Sequence, residues 1–126
     1  MMSKLVILVA AVEIPTGLML IFLPSVFTRL LFGADMSGPG QALGPLAGFA
    51  LLALVIACWP PRGGFASAPA VYALLAFSFL CVVYLAYRGV AGEKIGPLLW
   101  PAAAGHALLM LLLFWGWRAS RRQTPD

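Results

Sequence analysis

Four long apolar runs constrain the fold of this chain more than any other feature. A helix needs roughly 20 apolar residues to cross a hydrocarbon core of about 30 Å, and each run reaches that length. The runs are continuously apolar and rich in Leu and Ala, whereas a membrane barrel strand alternates between lipid-facing and inward-facing residues. The predicted fold is therefore all-α, an integral membrane bundle of four transmembrane helices. The spans are expected at about 4–23, 40–59, 67–87 and 97–117, with a polar tail over 118–126, in one membrane domain covering 1–126.

Composition and charge agree with a membrane protein. The chain is 63% hydrophobic and 10% charged, with a mean hydropathy of +1.00. Charged residues cluster between the apolar runs, and Glu13 alone lies within one. The basic residues are dispersed and no basic and aromatic module accompanies them, so nucleic acid is not an expected partner. The lipid bilayer is an expected partner.

The first span continues into a segment that has two interpretations. "PSVFTRLLFG", residues 24–33, begins with a proline, places several apolar side chains on one side and ends at Gly33. It reads either as a short helix lying in the outer membrane interface or as a continuation of the first span beyond a kink at Pro24. The first span itself is expected to remain uncleaved, because it is too long for a signal peptide and contains Glu13.

Glycines recur every fourth residue at the start of the second span. Gly40, Gly44 and Gly48 form a smooth strip on which another helix backbone can lie closely. We favour packing of this strip within the bundle over dimerisation of two chains. A homo-oligomer remains an alternative.

The cysteines and the single histidine give little support for a metal or cofactor. Cys58 and Cys81 are expected at depths about 20 Å apart along their helices, which is too far for a disulfide. We read them as small core residues. Without a Cys-x-x-Cys pair or clustered carboxylates, no metal site is expected. One histidine supplies two axial haem ligands only if two chains pair, and no cofactor is predicted.

Polar residues from three spans are expected at nearly the same depth. Glu13 lies nine residues after Lys4, and His106 lies nine residues after Pro97. Each is therefore about 14 Å from its membrane edge. Ser78 is in the middle of the third span, and Thr16 shares the face of Glu13. These four residues form the candidate binding site.

An ionisable group in the membrane is costly, by about 2.5–3.5 kcal/mol when charged at the centre, and it is a functional candidate by default. Glu13 would then bind a proton, a small hydrophobic molecule or a cationic solute. The structural alternative is a neutral buried acid that hydrogen-bonds to His106, to Ser78 or to a carbonyl freed by Pro15.

Three stretches resemble a known group of proteins. "GLMLIFLPSVFTRLLFG", "LAGFALLALVIACWP" and "YLAYRGVAGEKIGPLLWPAAAGHALLMLLLF" look like the small bacterial four-helix membrane proteins grouped loosely as DoxX-like. The resemblance spans nearly the whole chain and implies a four-helix membrane bundle. We expect a multi-pass protein of the bacterial inner membrane. The resemblance implies no reaction and carries over no catalytic residues. Small multidrug transporters are a second comparison, because they share the size, the span number and a glutamate in the first span, although "VEIPTG" departs from their pattern.

The expected function follows from the short loops, which hold no soluble domain, so that chemistry must lie in the bundle or at its rim. We expect a small polytopic membrane protein that acts as a binding or accessory component, with a hydrophobic small molecule or another protein as its partner. The alternative is a proton-coupled small-molecule transporter that works as an oligomer. An enzyme is less favoured, because the sequence shows no activated nucleophile or metal set.

Membrane orientation gives the first testable prediction. Five basic residues lie on the side that holds both termini and three on the other, which places both termini in the cytoplasm. Reporter fusions after Arg122 and within 60–66 should therefore read cytoplasmic, and a fusion within 89–95 should read external. Equal populations of both orientations would contradict this prediction and favour a dual-topology transporter.

Overall fold

The computed structural model describes residues 2–61, 66–91 and 94–122. Five helices occupy most of this part of the chain, and no strand occurs in it: α1 Met2–Phe22, α2 Pro24–Phe32, α3 Pro39–Ala57, α4 Ala68–Val90 and α5 Leu99–Arg121. Four of them, α1, α3, α4 and α5, are long and apolar enough to cross a membrane. The predicted all-α fold with four membrane-spanning helices is confirmed. Arg62, which entered the charge count, and residues 123–126 of the predicted tail lie outside the described residues.

The helix ends differ from the predicted ones by a few residues. The fourth span begins at Leu99, two residues after the expected Pro97, and runs through to Arg121. Its start is displaced because the segment before it is bonded to another helix. Gly96 N donates to Leu31 O at 3.1 Å and Leu98 N donates to Leu30 O at 2.9 Å. The third span extends to Val90, since Arg88 is compatible with a helix that protrudes into the headgroup region.

α2 is a separate short helix and not a continuation of α1. The backbone of Leu23 leaves the helical region, with φ −135° and ψ 52°, and Pro24 starts the new helix at a position where its missing N–H is tolerated. Gly33 ends α2 in the left-handed conformation, at φ 66°, which glycine adopts without strain. The carbonyls at this end of α2 accept the bonds from Gly96 and Leu98 described above.

The four spans form two helical hairpins that face each other. α1 packs along α3, α4 packs along α5, and the hairpins meet mainly where α1 lies against α5. A large apolar core closes the end of the bundle that contains the start of α1 and the end of α5. We call this the termini end. Its core includes Val6, Val9, Val71, Leu74 and Leu113. A smaller core lies below α2 at the opposite end, formed by Leu31, Leu85, Leu99 and Ala103.

Glycines allow α1 and α3 to approach closely. A Cβ atom added to Gly48 would lie 2.6 Å from the carbonyl oxygen of Gly17, and one added to Gly44 would lie 2.7 Å from Cβ of Pro24. Gly40, at the start of α3, lies against Met36 instead. The structure thus places Gly44 and Gly48 inside the bundle, where they face α1 and the beginning of α2.

The close approach predicts a difference between two Gly→Ala substitutions. Gly48→Ala should lower the thermal unfolding temperature in detergent, because the new methyl group meets the Gly17 carbonyl at a distance that forces the helices apart. Gly105→Ala is the matched control, since a Cβ there has no heavy atom within 4 Å and gains about 1 kcal/mol of helix propensity. An unfolding temperature for Gly48→Ala equal to that of Gly105→Ala would contradict the proposed contact.

Candidate functional site

Three polar side chains from different helices are largely buried in the bundle, and two of them, Glu13 and His106, lie close together. Glu13 of α1 and Ser78 of α4 are 1% and 0% exposed, and both count among the most deeply buried side chains. The His106 side chain of α5 is 15% exposed. The structure therefore buries all three predicted residues and brings Glu13 and His106 close together.

The helical repeat explains why these side chains point inward. On α1 the buried positions are Val6, Val9, Glu13 and Gly17, which recur at intervals of three and four residues and so form a single stripe. Glu13 is part of the face that packs into the bundle. Gly17 fixes the rotation of this face, because it lies against α3.

Glu13 and His106 lie close together without a direct hydrogen bond. Glu13 Oε1 is 3.7 Å from His106 Nδ1, which is longer than a hydrogen bond. Within the described part of the chain, these two atoms and Ser78 Oγ are buried and have no hydrogen-bond partner. Each such group costs about 1–3 kcal/mol when it stays unsatisfied. The interior of the bundle therefore holds polar groups whose burial is not compensated by hydrogen bonds within the described residues.

Two further features define the polar centre. The His106 ring packs edge-on against Phe77, with centroids 5.8 Å apart, which restrains the imidazole orientation. Thr16 differs from the other predicted site residues, because its Oγ1 donates to Val12 O at 2.9 Å. Thr16 borders the site, but its hydroxyl proton is already donated to the Val12 carbonyl oxygen.

A large cavity surrounds the polar centre. Its volume is about 910 Å³, and residues of all five helices line it, which places it near the upper end of the usual range of ligand pockets, about 300–1,000 Å³. Most lining residues are Leu, Ala and Phe. The polar groups in its wall are Glu13, Thr16, Cys81, Tyr84 and His106. The cavity is therefore apolar along most of its wall. Glu13 and His106 border it, while Glu13 Oε1 and His106 Nδ1 themselves are buried.

The cavity is covered at both ends of the bundle and opens sideways. The packed core closes the termini end, and Phe27, Leu31 and Phe32 of α2 line the other end. Ala47 and Ala50 of α3 line the cavity and are also exposed on the outer surface. Such surface at the middle of a span faces lipid, so the opening leads into the bilayer.

Sequence reasoning missed two parts of this site. The sequence predicts Cys81 to be a core residue, but in the structure it lines the cavity, whereas Cys58 is buried with its Sγ 3.7 Å from Ala70 O. The sequence predicts α2 to be an interfacial or continuing helix, and it does not indicate that α2 lines one end of the cavity. The sequence does contain one indication of the cavity. Ala47 and Ala50 are small residues that leave one face of α3 without large side chains. In the described ranges no group of three His, Cys, Asp or Glu residues could hold a metal ion.

Comparison with known proteins gives no match: no family model, no curated protein and no solved structure matches this chain. The class that the fold and the site define is a four-span helical membrane protein with a central cavity.

The proximity of Glu13 and His106 predicts energetic coupling. The unfolding free energies of Glu13→Gln, His106→Leu and the double variant should be non-additive, with a coupling energy of about 0.5–3 kcal/mol, as is found for residues in contact. Thermal or denaturant unfolding in detergent measures it. Glu13→Gln combined with Ser120→Ala provides a distant control, because Ser120 bonds locally to Trp117 O at 2.9 Å. Additivity in the Glu13 and His106 pair would show that the two residues act independently.

Proposed function

We propose that this protein binds a small lipophilic molecule inside the membrane and acts as a binding or accessory component. The observation that carries the proposal is the cavity of about 910 Å³, whose largely apolar wall includes the ionisable residues Glu13 and His106. Protein interiors are close-packed, and voids much larger than a water molecule are few. An apolar space of this size at the centre of so small a bundle favours a role in binding.

The position of the opening supports a ligand that arrives from the bilayer. α3 and α4 are not among the helix pairs that pack extensively in the described part of the chain, and Ala47, Ala50 and Tyr84 line the cavity while remaining exposed. A molecule dissolved in lipid reaches such an opening without crossing water. An aqueous solute would have to pass α2 or the packed core at the termini end.

The geometry gives less support to an enzyme. An activated nucleophile needs a base within hydrogen-bond reach, and the base needs a third group that orients it. Ser78 Oγ makes no hydrogen bond to Glu13 or His106 in the described residues. The site therefore offers binding groups without the connected set that nucleophilic catalysis uses.

Proton-coupled transport is the second candidate function. It is supported by Glu13 and His106, two ionisable side chains with Oε1 and Nδ1 3.7 Å apart beside the cavity, since such intramembrane pairs are used in proton relays. Proton flux across liposomes that contain the protein, driven by a gradient of a lipophilic cation, separates transport from binding.

The proposal also includes membership of the DoxX-like group, a location in the bacterial inner membrane, and termini in the cytoplasm. It further includes a protein partner or a second copy of the chain.

Filling the cavity should remove its ligand. In protein purified gently from cells, native mass spectrometry should detect a retained lipophile, and Ala50→Phe should lower its occupancy about tenfold, equivalent to about 1.4 kcal/mol of binding free energy. The phenyl ring takes space at the exposed edge of the cavity. Ala53→Phe is the matched control, because Ala53 is exposed on the same helix at nearly the same depth and does not line the cavity.

Two outcomes would contradict the prediction that the cavity binds the retained lipophile. If no lipophile is retained by the wild-type protein, or if Ala50→Phe and Ala53→Phe retain the same amount, the cavity is not the binding site. Circular dichroism of each variant establishes that both remain helical, so that a loss of ligand is not a loss of fold.

A further inference from the structure

A second, smaller cavity lies on the outer surface of the hairpin that α4 and α5 form. Its volume is about 360 Å³, and it shares no lining residue with the central cavity. We call it the α4–α5 groove. All of its lining residues are apolar: Leu75, Ala76, Phe79, Met110, Leu111 and Phe114. Phe79, Leu111 and Phe114 are also exposed, so the groove opens on the surface that faces lipid.

The groove lies in the half of the bundle nearest the termini end. Along α5, the levels of Phe114 and Met110 are about 10 Å and about 16 Å from the last residue of the helix. Leu75 and Phe79 lie at matching distances from the first residue of the antiparallel α4. One leaflet contributes about 15 Å of hydrocarbon to the bilayer. The groove therefore lies beside the acyl chains of a single leaflet.

Two arginines lie on the same face of α5 as the groove, closer to the termini end. Leu111, Phe114, Arg118 and Arg122 recur at intervals of three and four residues and are all exposed, so they form one stripe. The guanidinium carbon of Arg118 is 5.6 Å from the centroid of the Phe114 ring. Arg118 therefore extends from the rim of the bundle towards the mouth of the groove.

Tyr72 of α4 lies on the other side of this mouth. It precedes Ala76 by one helical turn and is 51% exposed. Its ring packs against Trp117 of α5, with centroids 5.5 Å apart. Tyrosine and tryptophan are enriched at the level of lipid headgroups, where one end of the side chain is apolar and the other is wet. The mouth thus combines guanidinium groups with aromatic residues that are typical of the membrane interface.

The termini end carries basic side chains and, within the described residues, no acidic one. The described basic residues at this end are Lys4, Arg118, Arg121 and Arg122. The structure describes two acidic residues, and both lie elsewhere. Glu13 is in the interior beside His106. Asp35 is paired with Arg29 at the opposite end, with Nε 2.9 Å from Oδ1.

This charge distribution favours an anionic lipid headgroup. A guanidinium binds a phosphate through two parallel hydrogen bonds, which makes arginine well suited to phosphate recognition. A zwitterionic headgroup also brings an ammonium group, and no described carboxylate at this end is placed to pair with it. An anionic headgroup brings only the charge that the arginines complement.

We infer that the α4–α5 groove binds an anionic phospholipid from the leaflet at the termini end, with its phosphate held by Arg118 and Arg122 and one acyl chain in the groove. This site is independent of the proposed function, because none of its residues lines the central cavity.

Lipid titration followed by native mass spectrometry provides the test. The delipidated protein in detergent is titrated with dioleoylphosphatidylglycerol, which is anionic. Dioleoylphosphatidylcholine is the comparison lipid, because it has the same acyl chains and a phosphate but a zwitterionic headgroup. We expect the wild-type protein to bind the anionic lipid about tenfold more tightly, which corresponds to about 1.4 kcal/mol of binding free energy.

Substitution of the arginines tests the headgroup contact. Arg118→Gln and Arg122→Gln should each lower the affinity for dioleoylphosphatidylglycerol about fivefold, the factor that corresponds to one basic residue at an anionic lipid surface. Lys4→Gln is the matched control. It removes the same charge from the same end, but no residue of α1 lines the groove, so it should change the affinity much less.

Filling the groove tests the acyl-chain contact. Ala76→Phe should weaken binding of dioleoylphosphatidylglycerol, because the phenyl ring takes the space of the chain. Ala53→Phe is the control, since Ala53 is exposed on α3 in the same half of the bundle and does not line the groove. Ala50→Phe, which fills the central cavity, should also leave this affinity unchanged. Circular dichroism of each variant establishes that it remains helical.

Four outcomes would overturn the inference. Equal affinity for the two lipids would show that headgroup charge is not recognised. Equal losses in Lys4→Gln and Arg118→Gln would assign the preference to the general charge of the termini end. Unchanged binding in Ala76→Phe would show that the acyl chain lies elsewhere, and a loss in Ala50→Phe instead would place the lipid in the central cavity. None of these results removes the lipophile that the proposed function requires, because that ligand is measured by its own retention in the central cavity.

Discussion

The close contact between α1 and α3 determines much of the rest of this structure. Inside a bilayer, lipid chains are as apolar as leucine side chains, so helices associate through van der Waals packing and short backbone distances. Gly17 and Gly48 provide such a contact, with no room for a Cβ at Gly48. Glu13 lies one helical turn before Gly17, on the same stripe of α1. The contact that joins the two helices thereby also directs the carboxyl group away from lipid.

Packing is uneven across the bundle, and the cavity follows from this difference. The termini end is filled by large apolar side chains from α1, α4 and α5, including Val9, Leu74 and Leu113. Towards α2 the walls carry small residues such as Ala47, Ala50 and Ala102, and these leave space between the hairpins. The polar centre lies at the boundary between the two regions, so its atoms are shielded from water yet adjacent to open volume.

α2 is attached to the bundle by backbone hydrogen bonds more than by charge. The Arg29 and Asp35 pair is exposed, at 67% and 61% of the side-chain surface, and exposed pairs contribute at most about 1 kcal/mol. Gly96 and Leu98 instead donate to carbonyls at the end of α2, and a side chain at Gly96 would meet the carbonyl of Leu30. The glycine is therefore required by the approach of two backbone segments, and the cover of the cavity depends on it.

The sequence by itself determined the four membrane spans and the depth of the polar residues. Both follow from one-dimensional physical rules, since the hydrocarbon thickness sets span length and the helical rise converts residue number into depth. Glu13, Ser78 and His106 could be placed at one level for that reason. The rotation of each helix about its axis is not contained in such arithmetic, because it depends on which side chains fit against neighbouring helices. Only the tertiary structure decided that Glu13 and His106 face each other, that Cys81 borders a cavity, and that α2 covers it, since these depend on packing between segments distant in the chain.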